Sequence, residues 1–221
     1  MLTRLSMQLL LVTGYIKKKV KFMAHITYFF ATISPFTYLA GTRMEAVAKK
    51  HSASVEYRPM DLMAVFGRTG GVPPKDRHIS RIEMRAQELQ RKAKKLKMPM
   101  NFKPIFFPVN MAPSSYALIS ASRYGDGDLG ALAHGFTRAV WAEERDISQQ
   151  DVIADCLKSA GFDPSLADKD MIGSAEQYAR NTEDAITSGV FGSPFYITDT
   201  DQRLWGEDRI EDLDLILSGT L

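Results

Sequence analysis

Strand-forming sequence occurs in two short regions of this chain, and a long stretch with helical spacing separates them. In the first region, the β-branched and aromatic run Ile26-Thr-Tyr-Phe-Phe predicts a strand, and Val55-Glu-Tyr-Arg-Pro-Met predicts another after an intervening helix. In the second region, Phe195-Tyr-Ile-Thr and Arg203-Leu-Trp predict strands joined by a hairpin turn, and residues 207–217 predict a closing helix. The order is therefore strand-helix-strand, a helical middle, and strand-strand-helix.

The helical middle runs from about Ile79 to Asn181. Its candidate helices, with breaks near Gly161 and Gly173, are Ile79 to Lys97, Ser114 to Tyr124, Asp128 to Glu144, Ser148 to Ala160 and Pro164 to Ser188. Strands that pair from both ends around such a segment form one continuous α/β unit. We therefore expect a strand-bearing unit made of residues 23–78 and 182–221, interrupted by an all-helical insertion at residues 79–181.

The composition suits a folded chain with a sizeable core. Of its 221 residues, 45% are apolar and 24% are charged, and 28 basic against 26 acidic side chains give a formal net charge of +2. This near balance argues against nucleic acid as the main partner. Basic residues do cluster between Arg85 and Lys97, where helical spacing favours a solvated helix face and leaves a functional role open.

The cysteine and histidine content limits the chemistry further. The single cysteine, Cys156, falls within a predicted amphipathic helix, so neither an internal disulfide nor a Cys-x-x-Cys dithiol can form in one chain. A buried structural thiol is the simplest interpretation. The four histidines show no close Cys/His/Asp pattern, and we expect no metal site.

Residues 1–22 differ in character from the rest of the chain. The apolar run Met7-Gln-Leu-Leu-Leu-Val-Thr-Gly is too short to span a bilayer, and lysines follow it, whereas a secretory signal carries its positive charge before the apolar run. We expect an extension, either disordered or arising from an upstream start, ahead of a natural start at Met23. The expected location is cytoplasmic, without membrane attachment.

The first candidate site is Ser34-Pro35, where the first predicted strand gives way to a helix whose apolar spacing continues through Val47. Proline suits the first helical position because its missing N–H would be unpaired there. A serine in this place caps the helix, or it donates a hydrogen bond to a ligand thiolate that the unpaired N–H groups attract. Capping alone is the simpler alternative.

The second candidate is Gly192-Ser193-Pro194, directly before the strand that begins at Phe195. Proline cannot donate to a sheet, so it belongs at the start of a strand, and a cis bond there would leave the N–H and C=O of Ser193 available. A peptide-like ligand could then pair with Ser193 in the manner of a further strand. An ordinary trans proline in a turn is the alternative.

The third candidate is Glu207-Asp208-Arg209, at the start of the last predicted helix. Carboxylates in this position interact favourably with the helix dipole, which is a structural role. If these side chains are exposed at the edge, they could instead hold the ammonium group of a ligand while helix N–H groups hold its carboxylate.

Four segments of the sequence carry a family resemblance when they are taken together. They are Tyr28-Phe-Phe-Ala-Thr-Ile-Ser-Pro-Phe-Thr-Tyr-Leu-Ala, Trp141-Ala-Glu-Glu-Arg-Asp-Ile, Gly189-Val-Phe-Gly-Ser-Pro and Trp205-Gly-Glu-Asp-Arg-Ile. In this order, over about Met23 to Leu217, the chain resembles the 2-hydroxychromene-2-carboxylate isomerase family. That family is similar to kappa-class glutathione transferases and to the disulfide oxidoreductase DsbA. The resemblance implies an α/β, thioredoxin-like fold with a large all-helical insertion.

The resemblance also implies roles for the candidate residues. Ser34 looks like the family's catalytic serine, which holds the sulfur of glutathione as a thiolate. Ser193 and Pro194 look like the cis-proline pair that binds the glutathione backbone. Glutathione is the implied cofactor, and the implied reaction isomerises an aromatic-degradation intermediate through transient addition of the thiol. The other residues assigned to glutathione are Val190, Glu207, Asp208, Arg209 and Arg68.

Two glycines depart from the family's pattern. Where many relatives carry a lysine and then an asparagine ahead of a proline, this chain has Gly67 and Gly71. Arg68 could replace the charge of the lysine, although its planar guanidinium is not equivalent to an ammonium group. A further segment, Phe102 to Asn110, resembles the family's proline-rich lining of the substrate cleft, and its aromatic residues are equally consistent with a core.

Several functions stay open at the level of sequence, although the lone cysteine argues strongly against a dithiol oxidoreductase. A glutathione-dependent isomerase and a kappa-like glutathione transferase need the same thiolate, so the sequence does not separate them. A non-catalytic binding protein with this fold is favoured by Gly67, whereas Ser34, Pro194 and Asp208 together favour an enzyme. A homodimer is implied by the family and by the prevalence of twofold oligomers.

Overall fold

The computed structural model describes residues 24–221, so the extension expected at residues 1–22 lies outside the described residues. The strands are β1 (His25–Phe30), β2 (Ser54–Pro59), β3 (Phe195–Thr198) and β4 (Arg203–Trp205). They form one sheet in the order β2-β1-β3-β4. β1 pairs in parallel with β2 and antiparallel with β3, and β3 pairs antiparallel with β4. Strands from both ends of the chain therefore meet in one mixed sheet, as the sequence predicts.

The helices lie mostly between β2 and β3. In the described part of the chain they are α1 (Pro35–Ala40), α2 (Arg43–His51), α3 (Leu62–Thr69), α4 (Ile79–Leu96), α5 (Ala112–Tyr124), α6 (Leu129–Trp141), α7 (Gln150–Ser159), α8 (Met171–Thr187) and α9 (Ile210–Ser218). Short 3₁₀ turns occur at Pro74–Asp76, Pro164–Ala167 and Glu207–Arg209. Within this part of the chain, no helix combines the length and the apolar character needed to span a bilayer. The arrangement is a thioredoxin-like fold with a helical insertion.

A row of tyrosines crosses the sheet on one face. Tyr28 of β1 lies opposite both Tyr57 of β2 and Tyr196 of β3. Its ring stacks on that of Tyr196, with centroids 5.2 Å apart, and meets the Tyr57 ring edge-on at 5.8 Å. Glu45 of α2 accepts a hydrogen bond from the Tyr57 hydroxyl at 3.1 Å, which places α2 over this face. Phe29, the next residue of β1, is buried on the opposite face because side chains alternate along a strand.

The single helix predicted after β1 is in fact two helices, α1 and α2. Gly41 ends α1 with φ +60° and ψ −135°, a backbone conformation that residues with a side chain rarely adopt. Its N–H donates to the carbonyl of Tyr38 at 3.0 Å and closes the last turn. The apolar spacing hides this break, because Leu39 before it and Met44 after it are both buried.

Helix α3 was not anticipated from the sequence. It begins at a capping aspartate, since the Asp61 carboxylate accepts hydrogen bonds from the N–H groups of Met63 and Ala64 at 2.9 and 3.1 Å. The helix buries Val65 and Phe66 and ends at Gly70. It thereby places residues 62–71 beside the loop that follows β1.

Helix α8 connects the insertion to the strand-bearing unit. The predicted break near Gly173 is present, because the helix begins at Met171 with the Asp170 side chain accepting from the Gly173 N–H. α8 then continues through residue 182, where the sequence placed a domain boundary. It packs against α5 of the insertion and also against α3 and β2.

Trp141, at the end of α6, ties the insertion to the loop after β1. Its side chain is buried, and its ring lies 4.8 Å from that of Phe107 between centroids. The indole Nε1–H donates to the carbonyl of Ile33 at 3.0 Å. Because Ile33 directly precedes Ser34, this contact fixes the backbone at the first candidate site.

We expect Trp141→Phe to lower the free energy of unfolding by about 2 kcal/mol, since it leaves a small cavity and an unpaired buried carbonyl. Urea denaturation of the two proteins measures the difference. Trp205→Phe is the matched control, because Trp205 is about half exposed and its change should stay within about 0.5 kcal/mol. Equal effects of the two substitutions would contradict the structural role of the Trp141 contact.

Candidate active site

A cavity of 740 Å³ opens between the loop after β1, helices α3 and α4, and the turn before β3. Aromatic side chains supply much of its wall, namely Phe36, Phe66, Phe107, Phe191 and Trp205. Ser34 and Ser193 contribute hydroxyl groups to its lining. Its charged lining residues in the described part of the chain are all basic, and they are Lys75, Arg77, Arg81 and Arg85.

Ser34 caps helix α1 and also lines the cavity. Its Oγ accepts a hydrogen bond from the N–H of Thr37 at 3.3 Å and donates to the carbonyl of Ser193 at 3.2 Å. Both distances are long for hydrogen bonds. The capping role expected from the sequence is therefore present, and the hydroxyl is held weakly beside open space.

Ser193 completes a cluster of buried hydroxyl groups. Its Oγ accepts from the N–H of Ala31 at 2.9 Å and shares a hydrogen bond with the Thr37 hydroxyl at 2.8 Å. The peptide bond between Ser193 and Pro194 is cis, the geometry that the sequence left open. The structure thus brings Ser34 and Ser193 into direct contact, although 159 positions separate them in sequence.

Glu207 lies in the interior rather than at an exposed edge. Its side chain is 4% exposed and pairs with Arg43 at 2.7 Å and with Lys92 of α4. Arg43 also donates to the Glu207 carbonyl at 3.0 Å. Glu207 therefore does not meet the condition of exposure on which its role in ligand binding rested, because two cations from distant segments enclose its carboxylate.

Asp208 and Arg209 lie on the surface. Asp208 is about half exposed and lies 3.4 Å from Lys92, whereas Arg209 pairs with Asp212 at 3.1 Å. Neither side chain lines the cavity. A role for Asp208 in ligand binding would therefore be confined to the edge of the site.

Arg68 and Val190 also lie outside the cavity lining. Arg68 forms an exposed ion pair with Glu183 of α8, so its charge already has an acidic partner. Val190 is fully buried, and its N–H donates to the carbonyl of Ala185 at 2.8 Å. The sequence assignments for these two residues therefore stay predictions.

The two glycines that depart from the family pattern occupy different surroundings. A Cβ atom added at Gly67 would meet nothing within 4 Å, so a longer side chain would have room there. Gly71 lines the cavity, and a Cβ there would collide with the Phe66 ring. The glycine at 71 therefore allows Phe66 its place in the cavity wall.

Basic residues in the cavity wall are the feature that sequence reasoning missed. The sequence favoured a solvated helix face for Arg85 and left a functional role open, whereas its guanidinium lies 5.8 Å from the centre of the Phe36 ring inside the cavity. Arg77 lies in the same way over Phe66, at 5.7 Å. Burial lowers the pKa of Arg85, and the charge of Arg77 lowers it further. The four-residue spacing of Arg77, Arg81 and Arg85 is the sequence feature that could have indicated a shared basic surface.

Aromatic residues form the edge of the cavity near β4. Phe191 and Trp205 are 42% and 53% exposed, and their ring centroids lie 4.9 Å apart. Gly192 allows this approach, since a Cβ there would collide with the Trp205 indole. From the proline-rich segment, Phe107 and its neighbours Pro108 and Val109 line the cavity, as the resemblance implies.

Cys156 takes no part in this site. It is buried in α7, and burial raises the pKa of its thiol to about 11. Residues 24–221 contain no group of acidic, histidine or cysteine side chains placed to hold a metal ion.

Comparison with known proteins identifies the family. A family model described as the DSBA-like thioredoxin domain matches residues 25–218. The chain therefore belongs to the DSBA-like thioredoxin family. Among similar curated proteins, the 2-hydroxychromene-2-carboxylate isomerase of Sphingobium xenophagum is 28% identical over 195 residues, covering 87% of this chain and 97% of its own. That of Pseudomonas sp. (strain C18) is 29% identical over 201 residues, covering 88% and 90%.

Solved structures show the same fold. A 2-hydroxychromene-2-carboxylate isomerase superposes with a TM-score of 0.70 at 25% identity, over 88% of this chain and 95% of its own. The cytosolic disulfide reductase DsbM from Pseudomonas aeruginosa, solved with GSH, superposes with a TM-score of 0.59 at 15% identity, over 88% and 98%. The second comparison shows a shared fold only.

We expect Glu207→Gln to lower the free energy of unfolding by about 2 kcal/mol, because it leaves Arg43 and Lys92 without their shared carboxylate. This loss of stability is smaller than that expected for a fully buried ion pair, since Arg43 is partly exposed. Asp208→Asn is the control and should change the same quantity by less than about 0.5 kcal/mol. A larger loss of stability from Asp208→Asn than from Glu207→Gln would refute the structural role of the Glu207 ion pairs.

Cys156 should resist alkylation in the folded protein. With its pKa raised to about 11, only about one thiol in a thousand is ionised at pH 8, and burial blocks access as well. Iodoacetamide labelling followed by mass spectrometry should be slow for the native protein and fast in guanidinium chloride. A Cys156→Ser variant sets the background, and equal rates in both states would show that the thiol is accessible.

Proposed function

We propose that this protein is a glutathione-dependent isomerase of the 2-hydroxychromene-2-carboxylate type. The curated relatives of that name match nearly their whole length to this chain. The observation that carries the proposal is the position of Ser34, whose weakly held hydroxyl faces a largely apolar cavity with a basic wall. Such a cavity suits an aromatic molecule that bears a carboxylate.

The residues present fit glutathione in most respects. The cavity volume lies within the range usual for small-ligand sites, and it contains hydroxyl groups at Ser34 and Ser193. Its basic residues suit the two carboxylates of the tripeptide. Asp208, about half exposed beyond Trp205, is the acidic candidate for the ammonium group at the edge. Glu207 is unavailable because its carboxylate is already enclosed.

The proposed role of Ser34 follows from its hydrogen bonds. When bound, glutathione supplies a nucleophilic thiolate. The Ser34 hydroxyl donates to an acceptor in the cavity once it gives up its 3.2 Å bond to the Ser193 carbonyl. A hydrogen bond to the charged form of an acid lowers the pKa of that acid. Ser34 therefore favours a thiolate over a thiol, and the surrounding positive charge acts in the same direction.

The basic wall and the aromatic rings would orient the second reactant. Phe36 and Phe66 present flat apolar surfaces, and each carries an arginine over its ring. Phe107 and Trp205 line the same space. A planar aromatic carboxylate would thus lie among these rings, within reach of the site at Ser34.

We expect Ser34→Ala to lower the rate of 2-hydroxychromene-2-carboxylate isomerisation by about 10²-fold, as loss of one donor to a developing or bound anion typically does. A spectrophotometric assay at saturating glutathione measures the rate, and calorimetry measures glutathione affinity. The matched control is Thr37→Val, which removes a hydroxyl from the same buried cluster but not from the cavity lining. It should lower the rate less than tenfold.

The outcomes separate the remaining functions. Turnover that needs both glutathione and Ser34 supports the isomerase. Glutathione binding with conjugation of an aromatic electrophile, but without isomerisation, would instead indicate a kappa-like transferase. Binding without any turnover would indicate a binding protein, and absence of glutathione binding would refute the glutathione site.

A further inference from the structure

The positive charge of the cavity wall has no counterpart within the described chain. Arg77, Arg81 and Arg85 line the cavity, and none of them lies within 4.0 Å of an acidic group in residues 24–221. Elsewhere in the same region, arginines such as Arg43 and Arg68 do have acidic partners. The three cavity arginines are therefore distinct in lacking one.

Burial and a neighbouring arginine disfavour the charge of two of these residues, Arg77 and Arg85. Burial lowers the pKa of Arg77, and the charge of Arg81 lowers it further; burial and then the charge of Arg77 do the same for Arg85. Like charges this close cost folding free energy. An anion bound among them would offset part of the repulsion and of the cost of burial.

The side chains are placed to face a ligand. The Arg77 Nε–H donates to the carbonyl of Val72 at 2.7 Å, which anchors the guanidinium and leaves its other N–H groups unused by that bond. Arg85 is half-buried with its guanidinium over Phe36, whereas Arg81, one turn earlier on α4, is exposed. A planar guanidinium offers paired donors that match a carboxylate.

We propose that Arg77, Arg81 and Arg85, the arginine wall, form a carboxylate-binding subsite that sets the ligand preference of this cavity. The positive charge of this subsite comes from α4 and from the residues just before it. Helix α3 does not provide such a charge, since Gly67 has no side chain and Arg68 pairs with Glu183. The inference rests on the proposed function only in taking the same cavity as the ligand site. The carboxylate belongs either to the aromatic substrate or to glutathione.

The test compares two aromatic probes of nearly the same shape, 2-naphthoate and neutral 2-naphthamide. Calorimetric titration of the full-length protein should show that 2-naphthoate binds about tenfold tighter or more, because hydrogen bonds to a charged group outweigh neutral ones. In the double variant R81Q/R85Q the preference should fall to about twofold or less. Equal affinity for the two probes in the unmodified protein, or no binding of 2-naphthoate, excludes the aromatic carboxylate, and the proposal is then overturned unless R81Q/R85Q weakens glutathione binding about tenfold.

Arg91→Gln is the matched control. It removes one positive charge from the same helix, but Arg91 lies outside the cavity and pairs with Glu88 at 2.8 Å. The preference for 2-naphthoate should survive this change. If Arg91→Gln abolishes the preference as fully as R81Q/R85Q, the effect is one of net charge and the subsite is refuted.

A glutathione arm identifies the source of the carboxylate. If R81Q/R85Q weakens 2-naphthoate about tenfold and glutathione less than twofold, the arginine wall serves the aromatic ligand. If glutathione is weakened about tenfold and the probe preference is unchanged, the wall serves the tripeptide. Unchanged affinity for both ligands overturns the inference. Ser34 is intact in every variant of this test. Failure of the proposed glutathione site is therefore a separate result, which would be seen as absence of glutathione binding to the unmodified protein.

Discussion

The buried hydroxyl cluster of Ser34, Thr37 and Ser193 is the interaction on which the site depends. It joins a residue after the first strand to one before the third, and the hydroxyl of Ser193 also holds the backbone at Ala31. These groups are buried, so each must find a partner within the protein. They satisfy one another only when the sheet brings both ends of the chain together. The arrangement of these hydroxyl groups therefore forms only in the completed fold. The helical insertion supports it through the hydrogen bond from Trp141 to the carbonyl of Ile33.

Helix α4 has two electrostatic roles along one stripe. Arg81, Arg85, Glu88 and Lys92 recur at helical spacing, so they share a face of the helix. At the C-terminal end of that stripe, Lys92 pairs with the buried Glu207 and serves the fold. Towards the N-terminal end, the arginines line the cavity, and within residues 24–221 they have no acidic partner. The same helix thus has a neutralised end that stabilises the protein and an uncompensated end that is available to a ligand.

Local rules in the sequence predicted the framework of the site well. The serine and proline that begin α1 follow from capping preferences, and the proline before β3 follows from its missing N–H. The rest depends on distant partners. Whether Glu207 is exposed stayed open at the level of sequence, because nothing local shows that Arg43 and Lys92 enclose it. Helical periodicity likewise identified a basic face around Arg85 but could not show that this face meets a cavity. The break at Gly41 was hidden because apolar spacing continues across it.

The serine at position 34 restricts the sulfur chemistry that this fold can perform. A hydroxyl cannot exchange disulfides, and Cys156 is both buried and weakly acidic, so it cannot replace a redox cysteine. Under the proposed function, the reactive sulfur therefore arrives with glutathione and is held by hydrogen bonds. A cavity of 740 Å³ is spacious for a single small ring system. Its volume, its hydroxyl groups and its positive wall together suit two ligands side by side, one that brings sulfur and one that brings an aromatic ring and a carboxylate.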